Sequence, residues 1–304
     1  MKLEEMGGLT PQEVRQVIRR GEYDGPTAGL CMGYAQCNLV VLPKEHAYDF
    51  LLFAQRNSRA CPVLEVSEVG SRSLSFLVQD VDIARDFPRY RLYRNGELAG
   101  EYTQVEELWR DDLVSFLIGC SFSFEAALLE AGVPVRHIEQ GRNVPMYRTN
   151  IPCHSAGVFH GNMVVSMRPM PSSQVVRAVT VTAAMPRVHG APVHIGSPAE
   201  IGIADITRPD YGQAVDIAPG EVPVFWPCGV TPQNVLTEAR LPFAITHAPG
   251  GGILVGDLRN PGFQLFHISD PCASKHIHRL RCAKAQVQVS DCIKCHWVPP
   301  NTAF

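Results

Sequence analysis

The sequence predicts a fold that mixes α/β and α+β structure. Three observations support this prediction: a capped amphipathic helix near the amino terminus, short apolar segments that are typical of strands, and a strand, a helix and a strand in succession over residues 222–246. Parallel and antiparallel strand pairing both fit this order of elements.

The first helix is predicted over residues 10–21. Thr10 can cap it, Pro11 suits the first helical position, and Glu13 completes a capping box. Gly21 can end the helix because glycine readily adopts the left-handed conformation found after helix C-termini.

Two further helices are expected in the first half of the chain. Residues 43–55 form the second, and residues 104–119 form the third, where Thr103 and Glu106 can make a capping box. The apolar residues of the third helix follow helical spacing, and Asp112 lies among them. We therefore expect Asp112 to be a buried acid.

A turn rich in hydroxyl groups follows at residues 119–125 and leads into a short helix that ends near Gly132. Ser121, Ser123 and Glu125 stand at the start of this helix, where free backbone N–H groups favour a bound anion. The elements predicted downstream are strands at 163–167, 193–195, 222–226 and 243–246, and helices at 173–184 and 232–239.

Composition excludes several classes of protein. The chain has 304 residues, 45% hydrophobic and 19% charged, with 27 Lys and Arg against 30 Asp and Glu. Such a near-neutral, packed protein is neither disordered nor a basic nucleic-acid binder. Apolar runs are too short to cross a membrane, and the amino terminus has acids where an export signal has basic residues, so we expect a cytoplasmic protein.

A break in composition divides the chain into a body, residues 1–260, and a Cys/His-rich C-terminal extension, residues 261–304. The extension holds four of the ten cysteines and has a net charge of +3, against −6 for the body. Its CIKCH sequence at 292–296 has the spacing of covalent haem attachment, which we reject because no export signal accompanies it. Two interpretations of the extension stay open. It has no function, or it holds a zinc site formed by Cys292, Cys295 and other Cys and His residues of the extension.

Thiol, serine and nucleotide chemistry have little support in the body. Cys120 and Cys153 are expected to be small buried hydrophobic residues, since a nucleophile and its base come from distant segments of a chain. Neither a Gly-x-Ser-x-Gly elbow nor a phosphate-binding Gly-x-x-x-x-Gly-Lys loop is present in the sequence. We predict no cofactor and no metal for the body.

Polar residues in segments that are otherwise suited to burial are the candidates for a functional site. An arginine can hold a carboxylate through two hydrogen bonds, and hydroxyls at a helix start can hold another, so the set suits a small acidic substrate. Each residue also has a structural explanation as a cap, an ion-pair partner or a satisfied core group. The candidates are Asp112, Ser121, Ser123, Glu125, Arg148, Thr149, Asn150, Arg168, His189, His194, Glu221 and His247.

Several long blocks of the body closely resemble the hydro-lyase family of bacteria, which shares a domain with the D-glutamate cyclase of animal mitochondria. The blocks are GCSFSFE at 119–125, NVPMYRTNIPC at 143–153, VSMRP at 165–169, GAPVHIG at 190–196 and PGEVPVFW at 219–226, with shorter ones at 55–57, 61–65 and 246–250. The resemblance covers about residues 5–260. It implies an α/β sandwich joined to a smaller α+β subdomain and brings no catalytic residues with it. The extension has no counterpart in the family.

The resemblance and the polar residues together predict a hydro-lyase that acts on a small amino or hydroxy dicarboxylate, with D-glutamate to 5-oxo-D-proline as the specific expectation. This reaction needs a held carboxylate, a neutral amine, donors for the developing oxyanion and an acid that releases water. The residues placed in these roles are Arg148, Asn150 or Arg168 for the carboxylate, Ser121 and Ser123 as donors, Asp112 or Glu125 as base, and His189 or His194 as acid.

Two other functions stay open at this point. One is an accessory protein that binds a carboxylate in the same pocket without chemistry. The other is a metal-dependent hydratase that uses His189, His194 and Glu221. The expected partner is a small carboxylate, with neither nucleic acid nor membrane involved, and a homo-oligomer fits each of these functions.

Overall fold

A computed structural model of the protein describes residues 3–78 and 80–257. The predicted extension, residues 261–304, lies outside the described residues, and so does the zinc site considered there. Within the described part no helix is long and apolar enough to span a bilayer. The helices are α1 (Pro11–Arg19), α2 (Lys44–Arg56), α3 (Glu125–Glu130), α4 (Arg136–Glu139), α5 (Val175–Ala183) and α6 (Thr231–Ala239).

Two antiparallel sheets organise the body. The larger has seven strands in the order β2-β5-β1-β10-β3-β4, and β11 also pairs with β1; the smaller has the order β6-β7-β9-β8. The strands are β1 (Tyr34–Pro43), β2 (Val63–Val66), β3 (Tyr90–Arg94), β4 (Glu97–Tyr102), β5 (Leu113–Gly119), β6 (Met146–Pro152), β7 (Asn162–Pro171), β8 (His194–Ile195), β9 (Glu221–Pro227), β10 (Ala244–His247) and β11 (Ile253–Asp257).

The central strand β1 is buried along almost its whole length because both faces of the larger sheet are covered. One face packs against α2 and α6 through Phe50, Phe53 and Leu236. The other is covered by residues that precede β3, including Ile83 and Phe87. The smaller sheet packs on α3 and α5. The expected class, a mixture of α/β and α+β structure, is confirmed.

Local signals at the amino terminus are confirmed in detail. Helix α1 begins after Thr10, whose hydroxyl accepts a hydrogen bond from the backbone of Glu13, while the Glu13 carboxylate accepts from the Thr10 backbone at 2.8 Å. The short helices after Gly119 also match, with a 3-10 turn over Ser121–Phe124 leading into α3.

The prediction of a third helix over residues 104–119 is wrong. Residues Glu106–Leu108 form only a 3-10 turn, and Leu113–Gly119 is strand β5, in which every residue is buried. A strand covered on both faces reads as a continuous apolar run, so its residues also matched helical spacing. Asp112 therefore does not lie in a buried stripe; it pairs with Arg110 at 2.9 Å, with 42% of its side chain exposed.

The elements predicted over residues 222–246 are all present, but they do not form one strand–helix–strand unit. Strand β9 belongs to the smaller sheet and β10 to the larger, with α6 between them. Every pair of described strands is antiparallel. The chain crosses between the two sheets at α6, which helps to fix one sheet against the other.

Candidate active site

Arg168 lies at the centre of a buried polar network. It stands inside β7, not at its end as predicted, and is fully buried. Its guanidinium contacts Glu125 through Nε at 3.1 Å and through Nη2, and it donates to the hydroxyls of Ser121 and Ser166 at 3.1 Å each. We call Arg168, Glu125, Ser121, Ser166 and His137 the Arg168 network.

Glu125 remains ionised in this network although burial opposes it. Burial would raise the pKa of its carboxyl, but His137 and Arg168 lower it, and the pKa lies below its ordinary value. His137 Nε2 is 3.0 Å from Glu125 Oε1. The guanidinium of Arg168 also packs over the rings of Phe124 and Trp226, at 4.9 and 5.6 Å from their centroids. The guanidinium of Arg168 is thus already bound by neighbouring side chains of the protein.

The hydroxyls of the 119–125 turn are engaged as well. Ser123 Oγ accepts the backbone N–H of Gln36 at 2.9 Å and donates to its carbonyl oxygen at 3.3 Å, which ties the turn to β1. Ser121 borders a void of about 10 Å³, room for about one water molecule. The structure brings together three of the predicted site residues, Ser121, Glu125 and Arg168, but they bind one another.

The remaining predicted site residues are dispersed. Arg148 is exposed and donates to the hydroxyl of Tyr211 at 3.0 and 3.3 Å. Asn150, on the same strand, is exposed. His194 Nε2 lies 2.7 Å from the carbonyl oxygen of Ser197. These residues do not meet Asp112, which lies beside Arg110 at the start of β5.

A cleft of about 450 Å³ brings together the end of α2, the start of β2 and the residues between α5 and β8. Three of the blocks named above, at 55–57, 61–65 and 190–196, contribute to its wall. We call it the arginine cleft. Its lining residues are Leu51, Ala54, Gln55, Ser58, Arg59, Cys61, Pro62, Val63, Ala183, Pro186, Arg187, His189, Gly190 and Ala191.

The charge of the arginine cleft has a single sign. Arg59 and Arg187 contribute two guanidinium groups, and no carboxylate is among the described residues that line it. Burial lowers the pKa of Arg59 from its ordinary value without bringing it near neutrality, because an arginine stays protonated in proteins. The cleft therefore has a positive potential that suits an anionic ligand.

His189, in the wall of the cleft, has a pKa that burial moves far from its ordinary value. It is 1% exposed, and its Nδ1 lies 2.8 Å from the carbonyl oxygen of Arg59. Burial lowers the pKa of His189 to about 4, against the opposite effect of the Arg59 carbonyl and a weaker one of the Gly119 carbonyl. The imidazole is thus neutral at physiological pH, and its Nδ1–H can donate a hydrogen bond to the carbonyl oxygen of Arg59.

The backbone at His189 is in the left-handed region, with a φ of 84°. A residue other than glycine is uncommon there, and such strain persists where the surrounding structure holds it, often at functional sites. Arg59 supplies part of that hold, because its Nη2 donates to the carbonyl oxygens of Ala191 and, at 3.2 Å, Pro192. Arg59 thus orients both His189 and the residues after it.

Gly119 links the arginine cleft to the Arg168 network. Its backbone N–H donates to Pro62 in the cleft wall at 2.9 Å. A Cβ atom at Gly119 would overlap the carbonyl oxygen of Arg187, so only glycine allows this close approach. The turn after β5 therefore positions the segment that contains Arg187 and His189.

Sequence reasoning named His189 as a candidate but did not name Arg59 and Arg187, which line the same cleft. A signal for Arg59 was available, since it lies between the blocks at 55–57 and 61–65. The alternative metal site is not supported: His189, His194 and Glu221 form no metal-binding group, and none exists elsewhere among residues 3–78 and 80–257. Glu221 instead pairs with Arg136.

Comparison with known proteins places the chain in a family. A family model described as D-glutamate cyclase matches residues 114–257. A protein of Clostridium beijerinckii named "Putative hydro-lyase" is 64% identical over 252 residues, which cover 83% of this chain and 96% of that protein. The chain belongs to the bacterial hydro-lyase family.

Other members show the same extent of similarity. A relative from Bacillus licheniformis is 60% identical and one from Stutzerimonas stutzeri 58% identical; they cover 84% and 86% of this chain and 97% and 98% of their own lengths. Among solved structures, a nitrogen repressor-like protein from Methanococcus jannaschii aligns with a TM-score of 0.34 at 11% identity over 77% of this chain and 91% of that one, a likeness that bears on neither fold nor function.

Proposed function

We propose that this hydro-lyase converts D-glutamate to 5-oxo-D-proline and water in the arginine cleft. The observation that supports the proposal is the lining of the cleft: two guanidinium groups and a neutral imidazole, with no carboxylate among its described residues. At about 450 Å³ the cleft is within the usual range of small-molecule sites. Such a lining suits a small acidic substrate. The cytoplasm is the expected location of the protein.

The two arginines match the two carboxylates of a dicarboxylate. A guanidinium can hold a carboxylate through two parallel N–H···O bonds, which fixes its orientation as well as its position. With one carboxylate on Arg59 and the other on Arg187, the five-carbon chain folds back on itself. Its amine then approaches the γ-carboxyl carbon, and such proximity is a large part of what a cyclisation requires.

The positive charge of the cleft also activates the amine. Nearby cationic groups disfavour a protonated amine, so the pKa of the substrate ammonium falls in the cleft. A carboxylate in the wall would have the opposite effect, because it would stabilise the ammonium. The absence of acids from the described lining is therefore suited to a reaction in which the amine is the nucleophile.

His189 is the proton carrier in this proposal. Its Nε2, a buried atom without a hydrogen-bond partner among the described residues, takes a proton from the substrate ammonium, and the carbonyl oxygen of Arg59 stabilises the imidazolium by accepting a hydrogen bond from Nδ1–H. The amine nitrogen bonds to the γ-carboxyl carbon, one C–O bond breaks, and the two protons that leave nitrogen depart with that oxygen as water. The net charge is unchanged, and His189 ends neutral.

The base is therefore His189 in place of Asp112 or Glu125. Asp112 is partly exposed, pairs with Arg110 and is not among the described residues that line the arginine cleft. Glu125 is held as a carboxylate by Arg168 and His137 inside the network. We assign the Arg168 network a structural role, in which it supports the turn that begins at Gly119.

Incubation of the purified protein with D-glutamate, L-glutamate and 5-oxo-D-proline, followed by NMR, tests the proposal. We expect the amine-bearing signals of D-glutamate to be replaced by those of the lactam, and L-glutamate to react more slowly. Thermal stabilisation by D-glutamate without any turnover would overturn the proposal in favour of a carboxylate-binding accessory protein.

A further inference from the structure

A second cavity, of about 500 Å³, shares no lining residue with the arginine cleft. Strands β3 and β4 of the larger sheet line one side, and Asn143 and residues 210–213, which lie outside the strands, line the other. The residues after α1 and the turn that follows β10 close it. We call it the mixed-charge cavity.

The mixed-charge cavity differs from the arginine cleft in that charges of both signs line it. Arg91 and Glu101 face each other across the β3–β4 pair and are 2.8 Å apart. Arg89 pairs with Asp24 on the neighbouring wall. Asp210 supplies a further carboxylate, and its Oδ2 accepts the backbone N–H of Arg148 at 2.8 Å.

These ion pairs are exchangeable. The side chains of Arg91 and Glu101 are 22% and 36% exposed, and those of Arg89 and Asp24 are 46% and 51% exposed. Pairs in such contact with solvent contribute little to stability, so separating them costs little. A ligand that brings one negative and one positive charge can replace a wall pair and leave every charge of the wall paired.

The walls are held in place without a ligand. Ala248 donates its N–H to the carbonyl oxygen of Arg89 at 2.8 Å, and Asn143 donates its N–H to the side chain of Gln213 at 2.9 Å. Tyr211 exchanges two backbone hydrogen bonds with Met146, at 2.9 and 3.1 Å. A preformed cavity loses little entropy when it is filled.

We propose that the mixed-charge cavity binds a free, zwitterionic α-amino acid. The ligand carboxylate lies on Arg91, and its ammonium lies on the carboxylates of Glu101 and Asp210. Those carboxylates keep the amine protonated, so the ligand is bound and does not react. The arginine cleft, which has no carboxylate in its described lining, has the opposite effect on an amine. The inference concerns a different cavity and holds whether or not the cleft converts D-glutamate.

The test uses the full chain and the common L-amino acids, each added separately. Thermal shift identifies the amino acid that stabilises the protein most, and calorimetry gives its Kd. The same measurement is then made with the N-acetyl and the carboxamide derivatives of that amino acid, which each lack one of the two charges. Arg91→Gln and Asp210→Asn remove one wall charge each, and Arg94→Gln, on the same strand β3 but outside the lining, is the matched control.

We expect one or more amino acids to bind, both derivatives to bind at least about tenfold more weakly, and Arg91→Gln and Asp210→Asn to weaken binding by about tenfold or more, the loss expected for one charge-assisted contact. Arg94→Gln and the cleft variant Arg59→Gln should bind as the wild type does.

Three results would overturn the inference. They are no stabilisation by any amino acid, equal binding of the charged and derivatised forms, and unchanged binding by Arg91→Gln and Asp210→Asn. The result also separates this inference from the proposed function. Loss of amino-acid binding in Arg91→Gln with unchanged D-glutamate turnover supports two separate sites, whereas loss of turnover in Arg91→Gln would make the cavity part of the reaction site and contradict the inference.

Discussion

At the scale of the residue, some charged groups of the chain are buried in the fold and others line a cleft. Arg168 is fully buried and already bound to Glu125, Ser121 and Ser166. Arg59 and Arg187 line a cleft that has no carboxylate among its described lining residues, and Arg59 also donates to the backbone carbonyl oxygens of Ala191 and Pro192. The sequence shows that a polar residue lies in an apolar segment. It does not show whether the partner of that residue is another side chain or a ligand, because partners such as Ser121 and Arg168 come from distant segments.

Removal of Arg168 should destabilise the protein strongly. Arg168→Met leaves Glu125 as an uncompensated buried charge, which costs about 3–5 kcal/mol in the free energy of unfolding. Arg110→Met, which breaks the exposed pair with Asp112 and a contact with Phe243, should cost about 1 kcal/mol. Urea denaturation of both variants measures the difference, and equal losses would show that the Arg168 network does not stabilise the fold.

Buried histidines should make the protein less stable as the pH decreases. Burial lowers the pKa of His247 to about 4, so between its ordinary value of 6.5 and 4 the unfolded chain binds a proton that the folded protein excludes. The free energy of unfolding is therefore highest above about pH 6.5 and falls as the pH decreases. His247 alone lowers it by about 2 kcal/mol between about pH 7 and 5.

Urea denaturation of the wild type and of His247→Gln at those two pH values tests this prediction. The variant should be less stable overall, because His247 Nδ1 accepts the N–H of Leu39, but its stability should depend less on pH. An identical pH dependence in both proteins would show that His247 titrates normally.

At the scale of the element, local signals predicted what local interactions determine. The capping box at Thr10 and helix α1 depend on interactions between residues that are neighbours in the sequence. Strand β5 was mistaken for a helix because its identity depends on pairing with β1 and β2, which sequence periodicity does not contain. Likewise β9 and β10 were placed in one unit, although tertiary contacts assign them to different sheets.

The end of β5 should be sensitive to a single methyl group. Gly119→Ala places a Cβ atom against the carbonyl oxygen of Arg187 and must displace the segment that contains His189. We expect turnover to fall by about tenfold or more, with a loss of about 1–3 kcal/mol in stability. Gly8→Ala, where nothing lies within 4 Å of the new Cβ, is the control and should match the wild type. Full activity in Gly119→Ala would separate this turn from the site.

At the scale of the whole molecule, the candidate site is assembled from segments far apart in the chain. Arg59 lies between α2 and β2 of the larger sheet, whereas Arg187 and His189 lie between α5 and β8 beside the smaller one. Residue spacing cannot predict such a meeting, and the sequence pointed only to the blocks on either side. The mixed class of the fold was predictable because it depends on the order of many elements.

Deletion of the extension should leave the reaction intact. The described residues that line the arginine cleft fall between positions 51 and 191, and the relatives align over 83–86% of this chain. A chain that ends at residue 260 should therefore turn over D-glutamate at the wild-type rate. A truncated protein that folds, as judged by circular dichroism, but lacks activity would assign the extension a part in the reaction.

The rate of D-glutamate cyclisation by His189→Asn tests the central claim most directly. Asparagine tolerates the left-handed backbone of position 189, so the variant should fold and keep the wild-type melting temperature. Loss of the proton carrier should lower kcat by about 100-fold or more, the usual contribution of general acid–base catalysis. A folded His189→Asn protein with the wild-type kcat would contradict the assignment of the arginine cleft as the active site.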